Sequence, residues 1–252
     1  MLHLFLIIIV IVCYIIITFL HISHNRYEHK ILIGILSIDR DYKHIERQYE
    51  QLKGYHSNGI EIIVITRISD INTIKSWESR NVKVLKVDHY EIESENRHNY
   101  KMIAYKRNTI IQYAKINNFD YLWFLDSDII PGRKTLDEML TQKDSDVVNI
   151  PSNLTWNPRD PVGFIDGGIR EYETNLLSHI FDVDIVGMGC TLIKKSCFDI
   201  SFEITAIKQS HEDEDIIIGE DIDFCFKLKS LGKRVTCIPR KYSINTQIQH
   251  LI

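Results

Sequence analysis

Asp126 and Asp128 flank Ser127 at the end of the apolar stretch Tyr121–Leu125, Y-L-W-F-L. Side chains two positions apart on an extended segment point to the same side. The two carboxylates can therefore converge where the strand ends. Like charges held that close repel unless a cation lies between them, and carboxylate oxygens suit Mg2+ or Mn2+. Such a cation can bridge to phosphate oxygens and neutralise charge that builds on a leaving group. The plain alternative is a solvated turn, because Asp and Ser are turn residues. A second acidic set, Glu220, Asp221 and Asp223, follows Gly219 at the start of a helical pattern. Acids in a first turn are favoured by the helix dipole, so those three also have a purely structural reading.

Elements able to position these groups are legible around them. Ile31–Ser37 (I-L-I-G-I-L-S), Ile60–Thr66, Val82–Asp88 and Asp120–Leu125 are short, β-branched runs of the kind buried in parallel sheets. Between them, Asp41–Lys53 places Tyr42, Ile45, Tyr49 and Leu52 at helical spacing. A short helix is expected around Asp70–Ser79 and a longer one over Tyr100–Asn117, after the charged, unpatterned stretch 89–99. This alternation predicts an α/β fold with a mostly parallel sheet flanked by helices, joined by right-handed crossovers. Ligands of such sheets gather beyond the carboxyl ends of the strands, where Asp126 and Asp128 would lie. Farther on, Pro151–Gly168 reads as loop, Ile185–Ile193 as a strand interrupted by glycines, Gly219–Leu231 as a helix stopped by Gly232, and Arg234–Pro239 as a last strand. The turn after the first run, I-L-S-I-D-R, contains neither a dinucleotide fingerprint nor a Walker loop.

Leu2–Leu20 is almost wholly apolar, broken by His3 and Thr18. About 20 such residues cross a bilayer as a helix. A signal peptide would have an apolar core of about 7–15 residues and a small-residue cleavage site. Here the run is longer, and H-I-S-H-N-R-Y-E offers no such site, so an uncleaved single-pass anchor over 1–21 is expected, then a stem over 22–30 and one domain over 31–252. Few charges flank the anchor, and a positive-inside count taken alone leaves the domain in the cytoplasm. A net charge of −4 disfavours general nucleic-acid binding. Cys190, Cys197, Cys225 and Cys237 contain no CxxC pair, which argues against structural zinc. They suit either two lumenal disulfides or four buried thiols. Asn153-Leu154-Thr155 is a glycosylation sequon if that side is lumenal.

With these residues in place, Y-L-W-F-L-D-S-D-I-I resembles the D-x-D segment of GT-A-fold (Rossmann-like) glycosyltransferases. K-M-I-A-Y-K-R-N, Lys101–Asn108, followed by N-F-D-Y-L-W-F-L-D-S-D-I, is similar to the fungal Golgi mannan-polymerase mannosyltransferase family. Family-2-like transferases share the broader layout. The resemblance implies a metal-dependent glycosyltransferase that takes a GDP- or UDP-sugar and Mn2+ or Mg2+. The acceptor would be a glycan, protein or lipid hydroxyl. It also implies a lumenal domain in the Golgi or endoplasmic reticulum. In its terms Asp128 ligates the metal and Asp126 holds the nucleoside side or the metal through water. Ser37 and Arg40 lie near the base. Arg107 approaches the diphosphate, which a guanidinium can grip bidentately, while Asn108 steadies helix and loop. Lys101 and Lys106 are lesser phosphate candidates. G-E-D-I-D-F-C-F-K-L resembles the segment that faces the acceptor. Asp221 is the first choice for the carboxylate that takes the hydroxyl proton in inverting members, and Glu220 the second. A retaining course would instead leave that acid to orient the acceptor. His250 would be a late metal ligand of a kind common in GT-A enzymes.

Bland readings stand beside these. His211–Asp215, H-E-D-E-D, is a charge run more typical of a solvated loop than of a metal cluster. Trp156, Asp166 and Gly187–Gly189 are candidates for the acceptor side, and Trp156 could simply anchor a proline-rich loop. The whole domain could be a non-catalytic sugar-binding or scaffold subunit, since fold does not guarantee activity. A metal-dependent phosphotransferase or nuclease is a third reading, disfavoured by the missing phosphate loop and the sparse acidic set.

Overall fold

The structure, a computed structural model, describes residues 11–12, 27–57, 60–88, 95–151, 163–164, 180–207, 216–239 and 249–250. Four runs form the first half of the central sheet: β1 (Ile31–Leu36), β2 (Glu61–Arg67), β3 (Lys83–Val87) and β4 (Tyr121–Asp126). Their connections carry α1 (Ile45–Ser57), α2 (Ile71–Glu78) and α3 (Glu95–Ile116). Beyond β4 come β5 (Ile129–Ile130), α4 (Thr135–Leu140), β6 (Val147–Asn149), β7 (Gly163–Phe164), β8 (Phe181–Asp182), β9 (Ile185–Val186) and β10 (Cys190–Lys194). The rest comprises β11 (Thr205–Ile207), β12 (Ile216–Ile218), α5 (Glu220–Ser230), β13 (Val235–Cys237) and β14 (Gln249–His250).

The central sheet has eight strands in the order β3-β2-β1-β4-β10-β6-β13-β8. The chain winds outward from β1 to β3, and α3 then carries it back to β4 on the other flank of β1. A topological switch point therefore lies between β1 and β4, where doubly wound sheets open a ligand crevice. The register there pairs Leu36 with Asp126. Both strands thus run out together, and Ser127 N–H donates to the Leu36 carbonyl at 3.0 Å.

The expectation of a mostly parallel sheet holds from β3 to β4 and needs correction beyond it. β10 runs antiparallel to both β4 and β6, and β8 antiparallel to β13, while β13 and β6 are parallel. Burial periodicity is the same in either direction, so it could not report this reversal. The sequence stretch read as one strand, Ile185–Ile193, is two. β9 pairs with β7 in a small separate sheet, and the Gly187–Gly189 turn redirects the chain into β10.

Alternation along β1 builds a core on each face of the sheet. Ile31, Ile33 and Ile35 pack with α1, α2 and α4 through Ile45, Leu52, Trp77, Leu136 and Trp123. Leu32 and Leu36 pack with α3 and α5 through Ile110, Ile111, Phe124, Phe224 and Leu228. Each such side chain, fully buried, contributes about 1.5–3 kcal/mol relative to exposure. α5 ends as expected at Gly232, whose φ of +67° lies in the left-handed region. Its N–H and that of Lys233 reach back to the carbonyls of Lys229 and Leu228, closing the last turn.

Cys190, Cys197, Cys225 and Cys237 are buried free thiols, which decides between the two readings of the cysteines. Burial pushes the Cys190, Cys225 and Cys237 thiols up to about 12, so they are inert at neutral pH. Among the described residues no helix is long and apolar enough to cross a membrane. Apart from Ile11 and Val12, the expected anchor lies outside the described residues, as do Asn153, Trp156, Asp166 and His211–Asp215.

Candidate active site

Asp126 is the last residue of β4, and its backbone is held at both its N–H and its carbonyl. Its N–H donates to the Gly189 carbonyl at 2.9 Å. Gln48, a buried amide on α1, donates through Nε2 to the carbonyls of Asp126 (3.0 Å) and Ile129 (2.8 Å). Gln48 therefore ties both ends of the D-S-D turn to the helix beneath it. Sequence reasoning passed over it, although a glutamine between Ile45 and Leu52 on an apolar helical face was a usable signal. Asp126 and Asp128 are both half-buried, and the Asp126 side chain keeps 35% of its surface exposed.

Gly189 keeps the space beside that carboxylate clear. A Cβ there would lie 3.0 Å from Asp126 Oδ2 and 2.7 Å from Ile129 Cδ1. Two part-exposed carboxylates, one packed into a glycine cradle that a Cβ would crowd, fit a hard, oxygen-seeking divalent cation. Among the described residues no group of three His, Cys, Asp or Glu side chains is arranged to hold a metal. β5, directly after Asp128, pairs antiparallel with β14, and the register sets His250 opposite Ile129. The backbone of the late histidine thus comes beside the D-S-D turn; its side chain lies outside the described residues.

Arg107 links this turn to the second acidic set. The residue is 4% exposed, on the α3 face that packs against β4 and α5. Its Nη1 donates to Glu220 Oε1 at 3.0 Å, and its Nη2 lies 3.7 Å from Asp126 Oδ1. Two aromatic rings, Phe202 and Phe124, flank the guanidinium, and Phe224 backs the first of them. Phe202 stacks on Phe224 with centroids 4.1 Å apart and meets Phe124 edge-on at 5.7 Å. The Arg107 Cζ lies 5.5 Å from the Phe202 centroid and 6.0 Å from that of Phe124. Arg107, expected at the diphosphate, thus has its charge answered by two carboxylates. Asn108 takes its expected steadying place against the Phe202 loop.

Glu220 and Asp221 are neighbours with different surroundings. Glu220 is 4% exposed. Burial pushes its carboxyl up, Arg107 opposes this, and the charges of Asp221 and Asp126 reinforce it. Asp221 is half-buried and accepts the Ile222 N–H at 2.9 Å. Gly219 leaves a notch bordered by Asp221 Oδ1 and the exposed Tyr100 ring, 3.2 and 4.0 Å from where a Cβ would sit. Asp223, by contrast, is structural: Thr205 Oγ1 donates to it at 2.8 Å and Lys227 pairs with it at 2.8 Å.

Ser37 follows β1 and is buried, and its Oγ has no hydrogen-bond partner among the described residues. Its carbonyl accepts from Lys106 Nζ at 2.9 Å and from Thr66 Oγ1 at 3.0 Å. Lys106 is therefore buried under the β1 terminus, whereas Lys101 is exposed. Arg40 falls in the 3-10 turn Asp39–His44, and its side chain lies outside the described residues. The structure thus joins Asp126, Arg107 and Glu220 directly, with Asp128, Asp221 and Ser37 around them.

Solved structures resemble this arrangement of strands and helices. Residues 1–349 of TarS from S. aureus, solved with UDP, superpose with a TM-score of 0.52 at 17% identity, over 84% of this chain and 58% of that one. The mannosyltransferase PcManGT from Pyrobaculum calidifontis, in complex with GDP-Man and Mn2+, gives 0.51 at 12% identity, over 85% and 56%. The inositol-1-phosphate CTP transferase from T. maritima gives 0.52 at 11% identity, over 89% and 90%. The fold is GT-A-like, the α/β arrangement these structures share. At these identities the likeness is one of fold, and this chain spans little more than half of the first two structures. No family model and no curated protein matches the sequence. The similarity to the fungal mannosyltransferases is therefore carried by the motifs alone.

Proposed function

We propose that this chain transfers a sugar from a nucleotide-diphosphate donor to an acceptor hydroxyl, with a divalent cation at the D-S-D turn. One observation carries the reading: Asp126 and Asp128 stand where β1 and β4 part, at the switch point of a GT-A-like sheet. Asp128 and Asp126 would hold Mn2+ or Mg2+, with His250 as a further ligand brought alongside by β14. When bound, the cation supplies charge neutralisation for the departing nucleoside diphosphate. Ser37 and Arg40 lie on the nucleoside side. The half-buried Asp221, beside the Gly219 notch, faces the acceptor. In the reaction the bond from the anomeric carbon to the phosphate oxygen breaks. A bond from that carbon to the acceptor oxygen forms, and the hydroxyl proton is lost. An inverting enzyme would deliver that proton to Asp221, whereas a retaining one would use Asp221 to orient the acceptor.

The domain is proposed to be held at a Golgi or endoplasmic reticulum membrane by the apolar run Leu2–Leu20, facing the lumen. A glycosidase-sensitive mass shift at Asn153 in the full chain tests that topology. The activity is tested by release of nucleoside diphosphate from a panel of GDP- and UDP-sugars with Mn2+, comparing wild type with Asp128→Ala. Metal-dependent turnover that falls at least about a hundredfold in the variant is expected, and equal turnover sinks the assignment of Asp128.

A second reading is nucleotidyl transfer to a phosphorylated acceptor. It is favoured by the near-complete mutual coverage with the T. maritima CTP transferase. Pyrophosphate release from CTP in the presence of inositol 1-phosphate, with no turnover of nucleotide sugars, would replace the first reading with this one.

A further inference from the structure

Glu220 has the placement of a support and not of a group that meets substrate. It is buried at the first turn of α5, and its Oε1 accepts from Arg107 Nη1. A guanidinium and a carboxylate ordinarily meet as a two-pronged fork. Here the fork is split. Nη2 turns toward Asp126 and stops at 3.7 Å, longer than a hydrogen bond, while Glu220 Oε2 and Arg107 Nε are buried with no hydrogen-bond partner among the described residues. The rings of Phe202 and Phe124 beside the guanidinium limit where it can go.

The split has a consequence for Asp126. A guanidinium closed fully onto this carboxylate would occupy the oxygens that a cation needs. With Glu220 answering most of its charge, Arg107 lies close enough to orient Asp126 yet does not cover it. We propose that Glu220 is a positioning residue that acts through Arg107, holding the guanidinium off Asp126 so that it does not compete with a divalent cation for this carboxylate. The proposal rests on the reading of the D-S-D turn as a cation site. It separates the two neighbouring acids: Asp221 for the acceptor, Glu220 for the cation side.

The test is direct Mn2+ binding to the full chain, followed by the loss of the free-ion electron paramagnetic resonance signal. Glu220→Gln keeps the side-chain volume and removes the charge, leaving Asp126 as the carboxylate that Arg107 can close upon. Its Mn2+ Kd is expected to rise roughly tenfold or more, as for changes in groups that support metal ligands. The double variant Arg107→Gln/Glu220→Gln removes the competing cation along with its partner, and its Kd is expected to return to within about threefold of wild type. An unchanged Kd in Glu220→Gln, even with slower turnover at saturating Mn2+, overturns the positioning role. So does a double variant as weak as the single one. Should Glu220→Gln not fold, the double variant alone decides: a Kd near wild type supports the proposal, and one raised about tenfold overturns it. Wild type that binds no Mn2+ overturns the cation reading and this inference with it.

Discussion

Asn108 and Phe202 exchange two hydrogen bonds across 94 positions of sequence: Asn108 Nδ2 donates to the Phe202 carbonyl, and Asn108 Oδ1 accepts its N–H, each at 2.8 Å. One side chain thereby satisfies both backbone groups of a residue whose ring lies beside Arg107. Asn108→Ala strands that N–H and carbonyl in a half-buried position, so a stability loss of about 1–3 kcal/mol is expected in urea unfolding. Asn108→Asp should do no better. It retains an acceptor for the N–H but sets a charged oxygen against the carbonyl. Stability of Asn108→Asp equal to wild type would show that the bridge carries little.

Gly189 sits against the carboxylate itself, so its replacement should separate activity from folding. In Gly189→Ala the new methyl meets Asp126 Oδ2 at 3.0 Å and the end of the Ile129 side chain at 2.7 Å. Ile129 can rotate away at a cost of about 1 kcal/mol. Asp126 Oδ2 must shift as well, on a backbone held at both its N–H and its carbonyl. Metal-dependent turnover is expected to fall about tenfold or more, with a melting temperature lower by only about 2–4 °C. Wild-type turnover with a much lower melting temperature would mean that the cradle serves packing alone.

Much of this site was legible in the chain, and what was not has identifiable causes. β1, β2 and β4 are buried on both faces, so each reads as an unbroken apolar run close to its observed bounds. α5 was legible because acids open it and Gly232 closes it. α3 begins at Glu95 and not near Tyr100, because Glu95–Asn99 contains no apolar residue to display a helical period. Asp126, Arg107 and Glu220 each stood out as motif residues. Their contact did not, since Arg107 and Glu220 are 113 positions apart and meet only through the packing of α3 on α5. The expected diphosphate role for Arg107 came from the family resemblance and the chemistry of a guanidinium, whereas its burial is a property of the packed helix. Local spacing reports which faces are apolar; it does not report which polar groups a fold encloses together.

Lys106 offers a test of how polar groups are enclosed beneath the crevice. Its ammonium is buried under Ser37 and donates to that residue's carbonyl, which Thr66 also serves. Burial lowers its pKa from 10.5 to about 8; Asp70 opposes the shift and Arg67 adds to it. The unfolded chain therefore holds this proton more tightly than the folded one. Below about pH 8 both forms are protonated and the full burial penalty, on the order of 3 kcal/mol, weighs on the folded state. Between about pH 8 and 10.5 the folded state releases the proton first, so its stability rises with pH as the penalty is relieved. Lys106→Met keeps the length of the side chain without the charge, and Thr66 still serves the Ser37 carbonyl. At pH 7 the variant should be more stable than wild type by about 1–2 kcal/mol, the lost hydrogen bond offsetting part of the gain. Urea unfolding at pH 7 and pH 10 should show wild type gaining about 2–3 kcal/mol relative to the variant. A difference that stays constant with pH would mean that Lys106 is not held as a destabilised ammonium.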